Sequence, residues 1–434
     1  MVGRLVVLGG LGDLSMRHLL PGLAKLRAAG VLSAPLHVVA VDRQRMSTEQ
    51  FRQQAGHALD VYASAAPASD RAGTLQDSTY LCADLSSAPD LSPALHGGPA
   101  IVYLALPPTV VEAAVRSLAI TGLAPDSTVV VEKPFGLDLS SARRLSVLLR
   151  DVVDDGDVFR VDHFLYHRLV QTILATRRTP GPMQALWNRE HVDRVEVAWE
   201  ERAGVVGRAA LYDNLGALRD MVQSHLLQVL AVVAMEPPIQ LDARSFPAGK
   251  AAVLRRIPTL STTEVAVRTT RARYTDGLVD GRRTSGYADE PGVDPSRQTE
   301  TYAHVELRVA TPCWRGVPFV IRTGRAVGNP RRHVVLKLRG GQKVAGRSEI
   351  RFGEDGMAGA PESMELARPA RQLPPSALLI RDVLAGDRTF SLSTEEIEQC
   401  WRITDSIRAG WESDRTRLQD YPAGSSCSGA PGVA

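Results

Sequence analysis

The stretch "RVDHFLYHRL", Arg160–Leu169, packs Asp162, His163, Tyr166 and His167 into ten residues. Imidazoles and arginines at this density suit an anionic ligand. A carboxylate among them suits a second task, orienting a histidine that moves a proton. His225 in "DMVQSHLLQ" is a candidate for that histidine, because a tuned imidazole works as a general base near neutral pH. A histidine beside Leu226 and one turn after Met221 and Val222 also serves as an ordinary core residue, and nothing in the spacing brings Asp162 and His225 together. Lys133 in "VEKPFG" ends an apolar β-rich run, where open α/β sheets bind ligands. Gly9, Gly10, Gly12 and Asp13 follow another such run. Glycines there let the backbone turn sharply and approach a pyrophosphate seated on a helix N-terminus. The spacing is not GxGxxG, so the loop alone is a weak signal. At the end of the second run, Asp42 suits ribose hydroxyls and Arg43 suits a 2′-phosphate. Neighbours on a strand point to opposite sides, so the residues alone leave NAD and NADP both open.

The elements that must position these residues come in two textures. "RLVVLGGLGDLSMRHLLPGLAKLRAAG" reads as a strand at Leu5–Leu8, a glycine turn and a helix stopped at Gly30. Further buried strands are expected at Leu36–Arg43, at Pro99–Pro108 and in "STVVVEKPFG", with Thr109 and Glu112 at capping-box spacing before a helix. Buried strands alternating with helices predict βαβ units and a parallel sheet. After about Gln184 the strands alternate apolar and polar residues: "VDRVEVAWEE", "TEVAVRTTRARY", "ETYAHVELRVA", "VPFVIRTG" and "HVVLKLRGG". One long helix is expected over Gly216–Met235 and a last one over Thr394–Trp411. The expected fold is an α/β Rossmann-like N-terminal domain over 1–160 and an α+β domain over 161–422 with a large, mostly antiparallel sheet. Residues 423–434, rich in Gly, Ser, Ala and Pro, are expected to be a disordered tail.

Composition narrows the function classes. The chain has 434 residues, 44% apolar and 23% charged, with net charge +3, which gives no reason to expect nucleic acid or an anionic membrane as partner. The apolar run Leu226–Met235 is too short to span a bilayer, and the early glycine loop leaves no room for a signal peptide, so a cytoplasmic protein is expected. Cys82, Cys313, Cys400 and Cys427 lack the spacing of a zinc site or a disulfide framework, and no metal is expected.

The motifs together resemble the glucose-6-phosphate dehydrogenase family over nearly the whole chain. The matching stretches are "GGLGDLSMRHLLPGL", "YLALPP", "VVVEKPFGLDL", "RVDHFLYHRLVQTIL", "LWNRE", "LYDNLGALRDMVQSHLLQVLAVVAMEPP", "TETYAHVELRV", "GVPFVIRTGR" and "YPAGS", in the family's order. The resemblance implies hydride transfer from C1 of glucose 6-phosphate to NADP, with NAD possible, giving the 6-phospho-lactone. It implies His225 as general base, Asp162 as its carboxylate partner and Lys133 between nicotinamide and sugar. It places Gly9, Gly12, Asp13, Leu14 and Arg43 at the coenzyme, His163 at the phosphate, and Glu201 and Asp220 at sugar hydroxyls. It also implies a homodimer or homotetramer through the large sheet.

The chain departs from the family at the phosphate end. Where the family has "RIDHYLGKE", this chain carries Phe164 for the tyrosine, Tyr166 for the glycine and His167 for the lysine. The lysine of "RTGK" is Arg325, and the tyrosine of "YERLL" falls near Ser376. Leu11 replaces a serine or threonine of the glycine loop, and Ser224 replaces the asparagine before the catalytic histidine. His167, Arg168, Arg325 and Tyr166 are the candidates to compensate at the phosphate. Three readings follow: the family's enzyme with a modified phosphate clamp; a paralogue oxidising another sugar phosphate or an unphosphorylated or amino-substituted hexose; or a non-catalytic NADP-binding protein. The retained Asp162, His225 and Lys133 count against the last.

Overall fold

The computed structural model describes residues 3–87, 89–344, 346–354, 356–357, 373–413 and 416–425. The expected tail residues 426–434, with Cys427, lie outside the described residues. The chain divides into two compact units: 1–166 with 242–244 and 367–394, and 167–241 with 245–366 and 395–434.

In the first unit β1 (Arg4–Leu8), β2 (His37–Asp42), β3 (Thr79–Cys82), β4 (Ile101–Leu104), β5 (Thr128–Glu132) and β6 (Val158–Val161) form, among the described residues, one six-stranded sheet. The order is β3-β2-β1-β4-β5-β6 and every pair is parallel. Strands such as Ile101–Leu104 are buried throughout, as a sheet covered on both faces requires. The order reverses between β1 and β4, and the crevice outside the strand ends at that point is where such sheets bind ligands. Two details differ from expectation. Strands β3 and β6 carry no strong apolar run to announce them. Pro108 takes the first turn of helix Pro108–Thr121 behind the N-cap Pro107, so Thr109 lies inside the helix and caps nothing.

The segment 373–394 returns to this unit, which no sequence pattern indicated. Its helix Pro375–Ala385 packs on helix Leu20–Ala28, and Ala377, Leu379, Ile380 and Val383 join the core built on Leu23 and Leu26. Ahead of Pro21 the helix widens into a π turn at Ser15–Leu19, with Leu20 N–H reaching Ser15 O. Proline cannot donate to the preceding turn and its ring crowds the carbonyl there, which a wider turn relieves.

The second unit is built on β7 (Val192–Glu200), β8 (Thr269–Thr275), β9 (Gly277–Val279), β10 (Arg282–Thr284), β11 (Tyr302–Arg308), β12 (Pro318–Gly324), β13 (Arg332–Leu338), β14 (Glu349–Gly353), β15 (Gly356–Met357) and β16 (Leu418–Pro422). Strands β9 and β10 pair as a hairpin, and the others form an eight-stranded sheet among the described residues, β15-β14-β13-β7-β12-β11-β8-β16. Only the β7–β12 and β16–β8 pairs are parallel. The stretch expected as one strand from Thr263 to Tyr274 is instead helix Thr262–Arg268 followed by β8. A Ser261–Glu264 capping box starts that helix and overrides the alternation of its valines. Nor does the chain fray at Ala423. Ala423 N–H donates to Thr275 O and Gly424 N–H to Ala326 O, because β16 carries its backbone onto the sheet edge.

The expected helix Gly216–Met235 is also not uniform. It runs as π turns over Leu218–Leu226, with Leu227 N–H on Val222 O, and as an α-helix over Leu227–Ala234. It lies against β7, β11 and β12. Both ends are tied. Glu300 accepts from Leu218 N–H at 2.8 Å, satisfying a donor of the first turn. Gly216, at φ +68°, passes so close to the Glu300 carboxylate that a side chain would collide with it. At the other end Arg177, Trp187 and Trp314 donate to the carbonyls of Val232, Val233 and Ala234.

Candidate active site

The glycine loop of the first unit is held by the end of β2. Gly9 and Gly10 N–H both donate to Val41 O, and Leu11 N–H donates to Asp42 Oδ2 at 3.0 Å. Asp42 Oδ1 accepts from Arg43 N–H at 2.8 Å, so both carboxylate oxygens brace backbone. Gly9, at φ +90°, presses on Ala105 O beyond β4, where no Cβ fits. Gly12 is different: a Cβ there would meet only Gly9 O at 3.4 Å and Ala105 O at 3.8 Å, so no protein atom demands its bareness. A helix begins directly after Gly12, and the first amides of a helix suit an anion. With Asp42 turned into the loop and Arg43 exposed at the strand end, the residues present fit a dinucleotide carrying a 2′-phosphate. Asp13 is exposed and pairs with Arg17 at 3.3 Å, and the Leu14 side chain packs on the core.

Lys133 directly follows β5, and Glu132 before it accepts a short hydrogen bond from the Tyr103 hydroxyl of β4. Burial pushes the Glu132 carboxyl up to about 7; the Tyr103 hydroxyl works against that rise, and the Asp162 charge adds to it. Sequence reading passed over Glu132, whose signal was its place beside Lys133 at a strand end. Asp162 is buried where β6 gives way to the turn His163–Tyr166, and its Oδ1 accepts from Phe164 N–H at 2.9 Å. His163 meets the Phe164 ring edge-on, with centroids 5.3 Å apart.

In the second unit His225 is buried within the π-turn stretch Leu218–Leu226. Asp220 lies in the first turn of that stretch, Glu201 just beyond β7 and Arg325 just beyond β12. Because the helix packs on those strands, the three side chains converge. Arg325 Nη2 is 2.9 Å from Asp220 Oδ2, and Nη1 pairs closely with Glu201 Oε2. Burial draws the Arg325 guanidinium down to about 10, which leaves it charged at neutral pH. His167 is the N-cap of helix Arg168–Arg178, and its ring stands edge-on to Trp199 at 5.0 Å, with Arg332 over the same indole.

Residues 6–172 match the family profile described as glucose-6-phosphate dehydrogenase, NAD binding domain, and residues 174–355 match the glucose-6-phosphate dehydrogenase C-terminal domain. The chain is 31% identical to a glucose-6-phosphate 1-dehydrogenase of Zymomonas mobilis, over 98% of this chain and 95% of that one. It is 32% identical to the one of Gluconobacter oxydans, over 97% and 93%. The crystal structure of glucose-6-phosphate 1-dehydrogenase from Mycobacterium avium, 29% identical, is similar at a TM-score of 0.81 over 97% of this chain and 94% of that one.

The chain belongs to the glucose-6-phosphate dehydrogenase family. It is thus a member of a family of oxidoreductases that use NADP. Among its described residues no helix is long and apolar enough to cross a membrane.

Two candidates for the family's phosphate end have partners within the protein. Tyr166 is buried against Phe390, with centroids 5.1 Å apart, and its hydroxyl bonds the Asp382 carboxyl. Both of these partners lie on the return segment. Arg325 is engaged by Glu201 and Asp220.

Proposed function

We propose that this protein oxidises the C1 hydroxyl of glucose 6-phosphate with NADP+, giving the 6-phospho-lactone. The observation that carries the reading is family membership along both units, joined to a glycine loop whose braced Asp42 and exposed Arg43 suit NADP. NADP+ supplies the hydride acceptor. His225 takes the proton from the C1 hydroxyl as general base, and Asp162 orients the imidazole and balances its charge. Lys133, at the end of β5, would contact both the bound coenzyme and the sugar. Glu201 and Asp220 accept from the hexose hydroxyls, and His163 and His167 face the phosphate. The enzyme works as a homodimer or homotetramer in the cytoplasm, where reduced thiols such as the exposed Cys82 are at home.

The test is absorbance of NADPH with glucose 6-phosphate against other hexoses and hexose phosphates. Turnover far higher on glucose 6-phosphate supports the reading, and faster turnover of an unphosphorylated sugar overturns it. Light scattering of the purified protein tests the oligomer.

A second reading, a paralogue acting on a sugar other than glucose 6-phosphate, is favoured by one observation. Of the four candidates for the missing phosphate ligands, Tyr166 is packed into the first unit and Arg325 is held by two carboxylates. The same assay separates the two readings.

A further inference from the structure

Arg325 stands where the family has a lysine serving the phosphate, and its geometry points elsewhere. One guanidinium spans two carboxylates, Glu201 on one nitrogen and Asp220 on the other. Its Cζ lies over the Tyr212 ring, 5.5 Å from the centroid. Its backbone is equally fixed: Arg325 N–H donates to Thr301 O at 3.0 Å, and the Tyr421 hydroxyl donates to Arg325 O at 2.6 Å. Only 7% of the residue is exposed. A lysine ammonium is a single point charge, whereas the guanidinium fork holds two acceptors at a set spacing. Both terminal nitrogens of the guanidinium are thus already paired with carboxylates.

We propose that Arg325 is a positioning residue that sets Glu201 and Asp220 for the hydroxyls of the hexose ring, and is not a ligand of the substrate phosphate. The assignment deepens the proposed reaction and rests on its placing of Glu201 and Asp220 at those hydroxyls. A carboxylate offers about four acceptor positions, so the one that Arg325 takes on each fixes its orientation without excluding a sugar hydroxyl. The hexose ring is common to glucose 6-phosphate and glucose. Loss of Arg325 therefore weakens both sugars alike, whereas loss of a phosphate ligand weakens only the phosphorylated one.

The experiment compares kcat/KM for glucose 6-phosphate and for glucose in the full-length protein and in Arg325→Met. Both values should fall about tenfold or more, mainly through KM, as for loss of a charge-assisted hydrogen bond. Their ratio should stay within about threefold of its starting value, on the same scale, and the KM for NADP+ should not change. A fall in the ratio of about tenfold or more, with glucose unaffected, would assign Arg325 to the phosphate and overturn the proposal. Arg325→Lys keeps the charge and covers the case in which the methionine variant does not fold. A ratio that holds or rises in that variant supports the proposal, and a tenfold fall overturns it. Calorimetric titration of both sugars reads the same ratio from binding. Intact sugar binding without turnover would then fail the proposed reaction while still deciding the role of Arg325.

Discussion

Asp42 and Arg43 are adjacent, and the sequence left them equally eligible for the coenzyme. The structure divides them by what each backbone needs. The Asp42 carboxylate holds Leu11 and Arg43 N–H, so the loop consumes it, and the arginine is left exposed at the strand end. At the same scale, His225→Asn removes the proposed base while keeping a polar side chain of similar reach. Turnover should fall roughly 10²–10⁴-fold with little change in KM, and a variant that keeps its kcat would remove His225 from that role. Tyr166 offers the opposite contrast. Tyr166→Phe leaves the buried Asp382 carboxyl without one of its donors and should lower unfolding stability by about 1–2 kcal/mol, read by urea titration. Its KM for glucose 6-phosphate should match that of the unaltered protein; a raised KM would return Tyr166 to the substrate.

At the scale of elements, the helix carrying His225 depends on residues far from it in sequence. Its α-helical part is tied by a buried ion pair: Lys250 Nζ lies 2.7 Å from Glu396 Oε1 and 3.1 Å from Gln228 Oε1, with both charged side chains fully buried. The Lys250 ammonium also lies over the Phe246 ring at 4.6 Å. Removing one partner strands the other charge, so Lys250→Met should destabilise the protein by roughly 3–5 kcal/mol. The double variant Lys250→Met with Glu396→Leu should recover much of that loss, because the stranded charge is gone. Thermal unfolding of the single and double variants checks both; equal losses would place the effect in packing rather than charge.

At the scale of the molecule, stability should depend on pH through groups in both units. In the second unit Glu196 is held down to about 2, chiefly by its bond to His333. A depressed carboxyl adds stability above its ordinary value of 4.5 and loses it as pH falls toward 2. His304, drawn down to about 4 by burial, resists protonation in the fold, so its environment costs stability as pH drops from 6.5 to 4. Glu132 in the first unit runs the other way. Its raised value near 7 favours the fold at low pH, with the gain full below 4.5 and lost as pH rises through 7. Unfolding followed by tryptophan fluorescence from pH 4 to 8 should show Glu132→Gln removing the decline above 4.5 and His304→Phe removing the decline below 6.5. Unchanged profiles would mean that these groups keep ordinary values in the fold.

Local patterns determined the parts that need only local physics. Apolar runs of strand length fixed β1, β2, β4 and β5 and their parallel pairing, and the colinear motifs fixed the family. The kinds of residue at the candidate site were legible too, since Gly9, Lys133, Asp162 and His225 stood out by type and neighbours. What the residues do to one another was not legible, because it depends on groups distant in the chain. The capture of Tyr166 by Asp382 and Phe390 needs a returning segment that carries no pattern of its own. The π turns around His225 lie in a helix tied at one end by Glu300 and at the other by Arg177, Trp187 and Trp314. The bridging of Glu201 and Asp220 by Arg325 exists only because that helix packs across the ends of β7 and β12. Sequence periodicity records which face of an element is apolar, and only packing decides which charges meet.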